Sequence, residues 1–313
     1  MKIDYLCGKR ILITGITGFV GSALKKRLNL LGAIVYGVSR SVDNDKKNLR
    51  AHILDYSVVN NFIKDSKIQI CFHLASESLV ESGQKDPYQT FKINTEGTLN
   101  ILESARMNGL EKIIVASTAH VYGNNKLPYL EKYTPKPSRP YETSKACTDL
   151  IAQSYADSFH LPVLIPRFVN IYGPGDLNFS RLVPKTIKAV LSNKSPSMWG
   201  GEAVRDYLFI DDAISAYITL AKTDMLLIGN NRIFNFGGNN RMSVEDLIRK
   251  IIKIAGKNLK IKKQNEERKG EIVSQYVSFK KATQLFGWEP KINLDEGLKR
   301  TVAWYLKFLY NKG

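Results

Sequence analysis

The stretch "TGITGFVG" at residues 14–21 holds three evenly spaced glycines between an apolar run and an amphipathic segment. The apolar run, "RILITG" at residues 10–15, predicts a strand, and the segment after the glycines predicts a helix. In such a unit Gly15, Gly18 and Gly21 allow a sharp turn, a close approach of backbone amides to a pyrophosphate, and tight packing of helix on strand. The helix dipole adds attraction for the anion. The stretch therefore predicts a dinucleotide-binding turn, with a tight turn that binds nothing as the alternative.

The remainder of the first half alternates apolar runs with amphipathic helical patterns, which is typical of βαβ units on a parallel sheet. Candidate strands lie at residues 10–15, 34–39, 50–54, 68–74, 112–117 and 161–166. Candidate helices lie near residues 19–31, 56–66, 88–108 and 142–159. After about residue 174 the alternation loosens, with helical patterns near residues 180–192, 243–255, 278–286 and 295–311.

This organisation predicts an α/β protein with a Rossmann-type doubly wound parallel sheet and a smaller C-terminal α/β lobe that binds substrate. We expect the dinucleotide-binding domain to comprise residues 1–173 and 204–236. The smaller lobe would comprise residues 174–203 and 237–313. A cleft between two such lobes is a usual place for a ligand.

The composition is that of an ordinary globular protein, with 313 residues of which 43% are hydrophobic and 24% charged. Neither a membrane-length apolar run nor a signal-peptide pattern is present, so we expect a cytoplasmic protein without a membrane partner. The three cysteines are widely spaced, and we expect reduced thiols and no metal. The net charge of +17 comes from scattered lysines. It indicates a solvated basic surface, is compatible with an anionic small molecule, and does not point to nucleic acid.

The end of the second predicted strand indicates which cofactor is preferred. An acidic residue there would accept a hydrogen bond from the ribose 2′-hydroxyl of NAD, whereas an arginine suits the 2′-phosphate of NADP. The sequence reads "GVSRS", with Ser39 and Arg40 and no carboxylate before Asp43. This pattern favours NADP, and NAD is the alternative if Arg40 is only a solvated loop residue. Farther along, Asp55 follows the third strand, where a carboxylate could contact adenine.

Two further motifs predict a proton-transfer site: "STAHVYG" at residues 117–123 and "YETSK" at residues 141–145. Tyr141 and Lys145 are four residues apart and share one face of a helix. A lysine beside a phenol would lower the pKa of that phenol and make it a usable proton carrier. Thr118 lies upstream at a predicted strand end.

The order of these motifs resembles the extended short-chain dehydrogenase/reductase family, and specifically its nucleotide-sugar epimerases and dehydratases. Further similar blocks are "RFVNIYGPGD" (167–176), "VRDYLFIDDAISAY" (204–217), "IFNFGG" (233–238) and "LFGWEPKINLDEGLKRTVAWY" (285–305). The segment "GPGDLNFSRLVP" is most similar to nucleoside-diphosphate-glucose 4,6-dehydratases of the CDP-glucose type. The resemblance covers nearly the whole chain and implies a nucleoside-diphosphate sugar as substrate.

The resemblance implies roles for individual residues. Tyr141 would exchange a proton with the sugar 4-hydroxyl while a hydride leaves C4, Lys145 would hold the nicotinamide ribose, and Thr118 would hydrogen-bond the substrate oxygen. The implied cofactor contacts are Gly15, Thr17, Gly18, Phe19, Val20, Gly21, Ser39, Arg40, Asp55, Tyr56, Leu74, Ala75, Ser76, Asn94, Tyr141 and Lys145. The implied substrate contacts are Ser78, Asn170, Arg181, Trp199, Arg205 and Arg268. For Asn94 the alternative is a helix-surface amide, and for Trp199 it is ordinary core packing.

The sequence departs from the 4,6-dehydratase pattern after Thr118. Those enzymes commonly have Asp and then Glu, or Lys in the CDP-glucose type, where this chain has Ala119 and His120. Because alanine cannot donate a proton, the departure favours C4 epimerisation or 4-keto reduction over dehydration. His120 is either a packed strand-end residue or an acid/base in place of the usual one, which keeps a 4,6-dehydratase open as an alternative. Strand alternation predicts that Thr118 and His120 face the same side.

Two expectations concern the protein as a whole. A second alternative is an inactive, NADP-sensing regulatory protein, although retention of the Tyr141–Lys145 pair favours an enzyme. The resemblance also implies a homodimer that pairs through the long helices near residues 88–108 and 142–159.

Overall fold

The computed structural model describes residues 4–199, 201–264 and 272–310. The strands are β1 (Arg10–Thr14), β2 (Ile34–Ser39), β3 (Asn48–Arg50), β4 (Ile70–His73), β5 (Lys112–Val115), β6 (Ser117–Thr118), β7 (Val163–Phe168), β8 (Asn170–Tyr172), β9 (Ser197–Trp199), β10 (Val204–Phe209), β11 (Ile233–Phe236), β12 (Arg241–Ser243), β13 (Lys262–Gln264) and β14 (Ser274–Gln275). The helices are α1 (Phe19–Leu30), α2 (Tyr56–Asp65), α3 (Val80–Lys85), α4 (Pro87–Phe91), α5 (Gly97–Met107), α6 (Pro140–Phe159), α7 (Leu182–Leu191), α8 (Ile210–Lys222), α9 (Met225–Ile228), α10 (Val244–Ile254), α11 (Lys280–Phe286) and α12 (Leu294–Tyr310).

A large parallel sheet forms the centre of the first half. Its strands lie in the order β11-β7-β5-β4-β1-β2-β3, with β6 beside β7, and the pairings are parallel. The chain order reverses between β1 and β4, which makes the carboxyl edge of these two strands the topological switch point where ligands of such sheets bind. This is the doubly wound parallel sheet that the sequence predicts.

The strands read as apolar runs because both faces of the sheet are covered by helices. Along β1, Ile11 and Ile13 pack in one buried cluster and Leu12 in the other, as the alternation of side chains along a strand requires. The same division holds in β4, where Phe72 belongs to the first cluster and Cys71 to the second. The two hydrophobic cores hold the carboxyl edge of the sheet in place.

Smaller sheets follow in the second half of the chain. Strands β12, β10 and β14 are neighbours, with β8 also paired to β10, and β13 pairs with β9. Between these elements, α8 packs against α1 and the large sheet, and β11 adds an edge strand to that sheet. The predicted division into two lobes with those residue boundaries stays a prediction.

Two elements differ from the sequence prediction. The third strand occupies Asn48–Arg50 instead of residues 50–54, so the residues after it turn toward the edge of the sheet. The long helix predicted near residues 88–108 is interrupted by a π-helical segment, Lys92–Glu96. There the carbonyl of Asn94 accepts hydrogen bonds from the hydroxyls of Thr98 (2.6 Å) and Thr148 (3.2 Å). Side chains inserted into the backbone ladder are a known cause of such irregularity.

Candidate active site

A cleft of about 1000 Å³ opens at the carboxyl edge of the large sheet, between that sheet and the segments around α7 and β9. Most of the sequence-predicted site residues line it. They are Gly15, Thr17, Gly18, Phe19, Val20, Gly21, Ser39, Arg40, Leu74, Ala75, Ser76, Ser78, Thr118, His120, Tyr141, Lys145, Asn170, Arg181, Trp199 and Arg205. The fold therefore brings together, in one cavity, the glycine turn and the Tyr141–Lys145 pair, which lie far apart in the sequence.

The glycine turn has the geometry of an anion cradle. Gly15 has a φ of +72°, and a Cβ there would lie 3.1 Å from the backbone of Ala75. A Cβ on Gly21 would lie 2.2 Å from the carbonyl oxygen of Gly15. Gly18 caps α1 without a side-chain hydrogen bond, and the first turn of α1 carries no acidic residue. Backbone amides at an uncapped helix start, with no side chain in the way, fit the pyrophosphate of a dinucleotide.

Hydroxyl groups surround the end of β2. The Thr17 hydroxyl lies 2.7 Å from that of Ser39 and 3.0 Å from that of Ser41. Arg40 lines the cleft beside them, and its carbonyl accepts a hydrogen bond from Nε of Arg50 at 3.2 Å. At the end of β2, the described residues that line the cleft present hydroxyls and a guanidinium and no carboxylate.

Three predicted cofactor contacts do not line the cleft. Asp55 is exposed at the start of α2, where its carboxylate accepts a hydrogen bond from the backbone of His52 at 3.3 Å, and Tyr56 follows it with 37% exposure. Because β3 ends early, residues 51–53 line the cleft in their place. Asn94 is the third of these residues.

Asn94 is buried behind the wall of the cleft. Its side chain accepts from the backbone of Glu77 at 2.7 Å and donates to the Glu77 carbonyl at 3.0 Å and to the Ser144 hydroxyl at 2.9 Å. These bonds tie α6 to the loop after β4. They exclude the alternative of an exposed helix-surface amide.

Tyr141 stands at the start of α6, facing the end of β6. Burial raises the pKa of its phenol to about 12, while Arg181 and a hydrogen bond with Thr118 oppose that rise. The ammonium group of Lys145 donates to the carbonyl of Ala116 at 2.6 Å, and the lowering of the Tyr141 pKa by Lys145 stays a prediction.

Lys145 lines the cleft, and His73 is buried near it without lining the cleft. Burial lowers the pKa of Lys145 to about 8, with Asp149 opposing the shift, so the amine is still largely protonated at neutral pH. Burial and the charge of Lys145 lower the pKa of His73 to about 3, which makes this histidine a neutral residue. Its ring nitrogens lie 2.8 Å from the Thr14 hydroxyl and 3.0 Å from the Thr98 hydroxyl.

His120 lines the cleft, but strand alternation is not the reason. Strand β6 ends at Thr118, and Ala119–Tyr122 form a 3-10 turn. The backbone amide of His120 donates to the Thr118 hydroxyl at 3.2 Å. This turn buries Ala119 completely and directs the His120 ring to within 6.2 Å, centroid to centroid, of the Tyr141 ring. Nδ1 of His120 lies 3.4 Å from the carboxylate of Glu142.

Arg181 lines the cleft near Tyr141. Its guanidinium donates to Asp176 and to the Ser78 hydroxyl, at 3.2 Å and 3.1 Å. Its charge also acts on the Tyr141 phenol. Arg181 thus joins α7 to the loop after β4 beside the predicted proton carrier.

The remaining predicted substrate contacts lie along the outer part of the cleft. The Trp199 ring is half-buried, and Nζ of Lys185 lies 4.6 Å from its centroid. Asn170 begins β8, and Arg205 on β10 donates to the Val204 carbonyl at 3.0 Å. Arg268 lies outside the described residues.

Sequence reasoning missed several residues that line this cleft, among them Ser41, His52, Glu77, Arg139 and Lys185. Most of them lie within or next to a motif that predicts the site, so their position beside that motif could have indicated that they line the cleft. His52 carried no such signal, because its position depends on where β3 ends.

Within the described ranges, no group of three or more His, Cys, Asp and Glu side chains is arranged to hold a metal ion. None of the helices that the structure describes has both the length and the apolar character needed to cross a membrane.

Comparison with known proteins identifies the family. The model of the NAD dependent epimerase/dehydratase family matches residues 11–237. The chain belongs to this family. The predicted family, its enzymatic nature and the Rossmann-type α/β fold are thereby confirmed. A nicotinamide dinucleotide is the cofactor of this family.

Relatives of this enzyme catalyse different reactions. This chain is 29% identical over 332 residues to dTDP-D-glucose 4,6-dehydratase of Mus musculus, and the alignment covers 97% of this chain and 90% of that protein. It is similar to the structure of UDP-glucose 4-epimerase from Thermotoga maritima with UDP-glucose, at 28% identity and a TM-score of 0.86, covering 96% of this chain and 99% of that one. UDP-glucuronic acid 4-epimerase from Bacillus cereus, in complex with UDP-glucuronic acid and NAD, is 27% identical with a TM-score of 0.87, covering 96% and 100%. Family membership therefore leaves the choice of reaction open.

Proposed function

We propose that this enzyme modifies a nucleoside-diphosphate sugar by hydride transfer at C4, acting as a C4 epimerase or a 4-keto reductase. One observation carries the proposal: the anion cradle of the glycine turn and the side chains of Thr118, Tyr141 and Lys145 line a single cleft. A binding module would need the cradle alone. The added proton carrier and its supporting groups have a chemical use only if a proton moves with the hydride.

The residues of the reacting end have complementary tasks. The Tyr141 hydroxyl exchanges a proton with the sugar 4-hydroxyl, and the Thr118 hydroxyl donates to the same sugar oxygen. Lys145 is held by the Ala116 carbonyl and would bind the nicotinamide ribose. A bound nicotinamide would supply the hydride acceptor or donor for C4. Arg181 favours the phenolate form of Tyr141, since a nearby cation stabilises a negative charge.

Ala119 supports epimerisation or reduction over dehydration. Loss of water from the sugar needs an acid at the leaving hydroxyl, and Ala119 is fully buried and has no proton to give. A 4,6-dehydratase is the second candidate, and the observation that favours it is that His120 lines the cleft beside Tyr141. Product formed in deuterated water separates the two, because proton exchange at C5 leaves deuterium there and simple C4 chemistry does not.

We propose a nucleoside-diphosphate sugar as substrate because the outer cleft offers groups for each part of it. Trp199, with Lys185 against its face, provides an aromatic surface next to the base. Arg205 and Asn170 provide donors for the diphosphate and sugar. These groups line the same cavity as the reacting end.

For the cofactor, we propose a preference for NADP over NAD. Arg40 and the hydroxyls of Ser39 and Ser41 surround the position that the adenosine 2′ substituent takes in this fold. Hydroxyls and a guanidinium bind a phosphate well, whereas a ribose diol is best held by a carboxylate.

We propose that the enzyme is a homodimer formed through α5 and α6. These two helices pack against each other and carry large apolar side chains that are exposed to solvent, at Leu99, Met107, Leu150 and Phe159. Exposed apolar side chains of this size are candidate positions for a protein–protein interface. Light scattering on the wild type should give twice the chain mass, and Leu150→Glu should give a monomer. A monomeric wild type at micromolar concentration contradicts this proposal.

The direct test of the function is incubation with a panel of nucleoside-diphosphate sugars, followed by mass spectrometry and NMR. An epimerase yields a product of unchanged mass with an inverted C4. A reductase needs a 4-keto substrate and consumes reduced cofactor, and a dehydratase yields a product lighter by one water. Bound cofactor without turnover of any sugar on the panel, under conditions where a family enzyme is active, would contradict the proposal.

A further inference from the structure

Glu142, the residue after Tyr141, is a carboxylate that has no exposed surface. Its Oε1 accepts hydrogen bonds from Nε of Arg139 at 2.9 Å and lies 3.4 Å from Nδ1 of His120. Its Oε2 faces the backbone amides of Arg139 and Ser138 at 3.4 Å and 3.5 Å. One oxygen therefore completes the start of α6, and the other joins an arginine to a histidine.

The helix-capping contacts of Oε2 do not explain the contacts of Oε1 with Arg139 and His120. A neutral glutamine at position 142 could accept from the amides of Arg139 and Ser138 without burying a charge. Burying a carboxylate is costly unless it is paired, and here Arg139 supplies the pair. Although burial works against ionisation, the hydrogen bonds from His120 and Arg139 lower the pKa of Glu142 to about 2. Glu142 is therefore an anion at neutral pH, with its second partner the ring of His120.

The contact determines which nitrogen of His120 carries the proton. A carboxylate accepts hydrogen bonds and cannot donate them, so the ring nitrogen facing it is the N–H. The other nitrogen, Nε2, then carries a lone pair. The ring is 18% exposed and lines the cleft, beside the Tyr141 ring.

We propose that Glu142 is a positioning residue that holds His120 in its Nδ1–H tautomer, so that Nε2 of His120 is a second proton-transfer atom of the cleft, separate from the Tyr141 hydroxyl. This inference rests on the second candidate of the proposed function, the 4,6-dehydratase, because C4 epimerisation or 4-keto reduction moves no proton at the carbons next to C4. Arg139 in turn orients the carboxylate and does not touch the histidine in any contact that the structure describes.

The proton step is balanced within the site. When a carbon next to the 4-keto group loses its proton, the C–H bond breaks and the proton goes to Nε2. The electron pair stays on the substrate as an enolate, whose oxygen faces the hydroxyls of Thr118 and Tyr141. Glu142 stabilises the imidazolium that forms, as a buried carboxylate does in other histidine-centred sites. The reverse step returns the proton.

The charged groups around this pair are few. On α6 and the residue before it lie Glu142 and Arg139, and Tyr141 is beside the ring. From other elements, Arg181 and Glu77 act on the Tyr141 hydroxyl, and Arg205 and Glu142 both act on Tyr129. Glu142 is the carboxylate that directly contacts His120, so a change at Glu142 should be visible at His120 and not at other histidines.

Nitrogen NMR of the histidine rings tests the inference in the wild-type holoenzyme, without any variant. The chain has four histidines, at positions 52, 73, 120 and 160, and the His120 signals are assigned by their loss in His120→Asn. Above its titration, the His120 ring should be protonated at Nδ1 and unprotonated at Nε2. The opposite tautomer in the wild type overturns the proposal.

A matched pair of variants tests the role of the charge. Glu142→Gln keeps an oxygen for Arg139 but removes the negative charge, so the preference of the His120 ring for the Nδ1–H form should weaken and the Nε2–H form should appear beside it. Glu77→Gln removes a carboxylate from the same cleft without a contact to His120 and should leave the tautomer of His120 unchanged. The same tautomer populations in wild type and Glu142→Gln, with both proteins folded, contradict the proposal.

Activity then separates this inference from the proposed function. In deuterated water the wild type should incorporate deuterium next to C4, and a wild type that turns over sugar without incorporating any overturns the assignment of Nε2 as a proton-transfer atom. Glu142→Gln should reduce that incorporation at least tenfold with little change in the KM for sugar, and the Glu142→Gln/His120→Asn double variant should be no worse than His120→Asn alone. Additive losses would make Glu142 independent of His120 and overturn the inference. If Tyr141→Phe retained full turnover, the proposed function would fail while the tautomer result still stood.

Discussion

The two ends of the cleft are built in different ways. The cofactor end consists of the glycine turn and the end of β2, and it presents backbone amides at positions where a Cβ would collide with the chain. The proposed sugar end consists of Thr118, His120, Tyr141 and Arg181, and it presents side chains that are held by partners from elsewhere in the chain. The first is determined by local sterics and the second by tertiary contacts.

This difference explains what could be predicted from the sequence. Three glycines in a strand–turn–helix context are enough to predict the cofactor end, because the requirement for no side chain acts within a few residues. The residue types of the sugar end were also recognisable, but their partners were not. His120 meets Glu142 across 22 residues, and Arg181 meets Ser78 across 103. Such pairs depend on the course of the loops between them.

Other differences have the same origin. The π-helical segment at Lys92–Glu96 arises where Asn94 turns inward to bond Glu77 and Ser144, and no local propensity encodes those contacts. The end of β3 likewise depends on its place at the edge of the sheet. Because β3 ends at Arg50, His52 reaches the cleft and Asp55 does not.

The largest effect is expected at the sugar end, from Tyr141→Phe. The variant loses the hydroxyl that carries the proton and little else, so kcat should fall by about 10²–10⁴-fold. Cofactor affinity, measured by fluorescence titration, should be almost unchanged. If cofactor affinity fell as much as turnover, the two ends would not be separable in the way described.

A smaller effect is expected at the cofactor end, from Gly21→Ala. The added methyl would lie 2.2 Å from the Gly15 carbonyl oxygen, so the turn must shift, at about 1–3 kcal/mol. Calorimetry should show weaker cofactor binding and a lower free energy of unfolding, while the neighbouring Ser22→Ala should show neither. Normal cofactor affinity in a folded Gly21→Ala would mean that the cradle tolerates a side chain.

A change in cofactor preference is expected from Arg40→Asp, at the end of β2. If Arg40 binds the 2′-phosphate, the substitution should lower NADP affinity at least tenfold and raise NAD affinity, because a carboxylate repels phosphate and accepts from the ribose hydroxyls. Arg50→Gln is a matched control, since the Arg50 side chain bonds the Arg40 carbonyl and is exposed. Equal affinity of the wild type for both cofactors would remove the basis of the proposed preference.

The last effect concerns the pH dependence of stability and arises from His73. This histidine bonds Thr14, which holds the backbone after β4 at the cofactor end. His73 is buried between the hydroxyls of Thr14 and Thr98, and Thr14 in turn accepts from the amides that follow β4. Burial and the charge of Lys145 lower the pKa of His73 from the ordinary 6.5 to about 3 in the folded protein. Between these two values the unfolded chain binds a proton that the folded chain does not, so the free energy of unfolding falls as the pH falls from 6.5 toward 3.

This contribution to the free energy of unfolding should approach about 1.4 kcal/mol per pH unit at its steepest. Urea unfolding at pH 7.5, 6.0 and 5.0 should therefore show a shallower pH dependence for His73→Gln than for the wild type, whatever the change in stability at neutral pH. His160→Asn is the control: His160 is exposed at a positive φ of 52°, a conformation that asparagine tolerates. The same slope in His73→Gln and wild type would mean that His73 accepts a proton in the folded state, and that the interior beneath the cofactor end is more polar than its hydroxyl partners indicate.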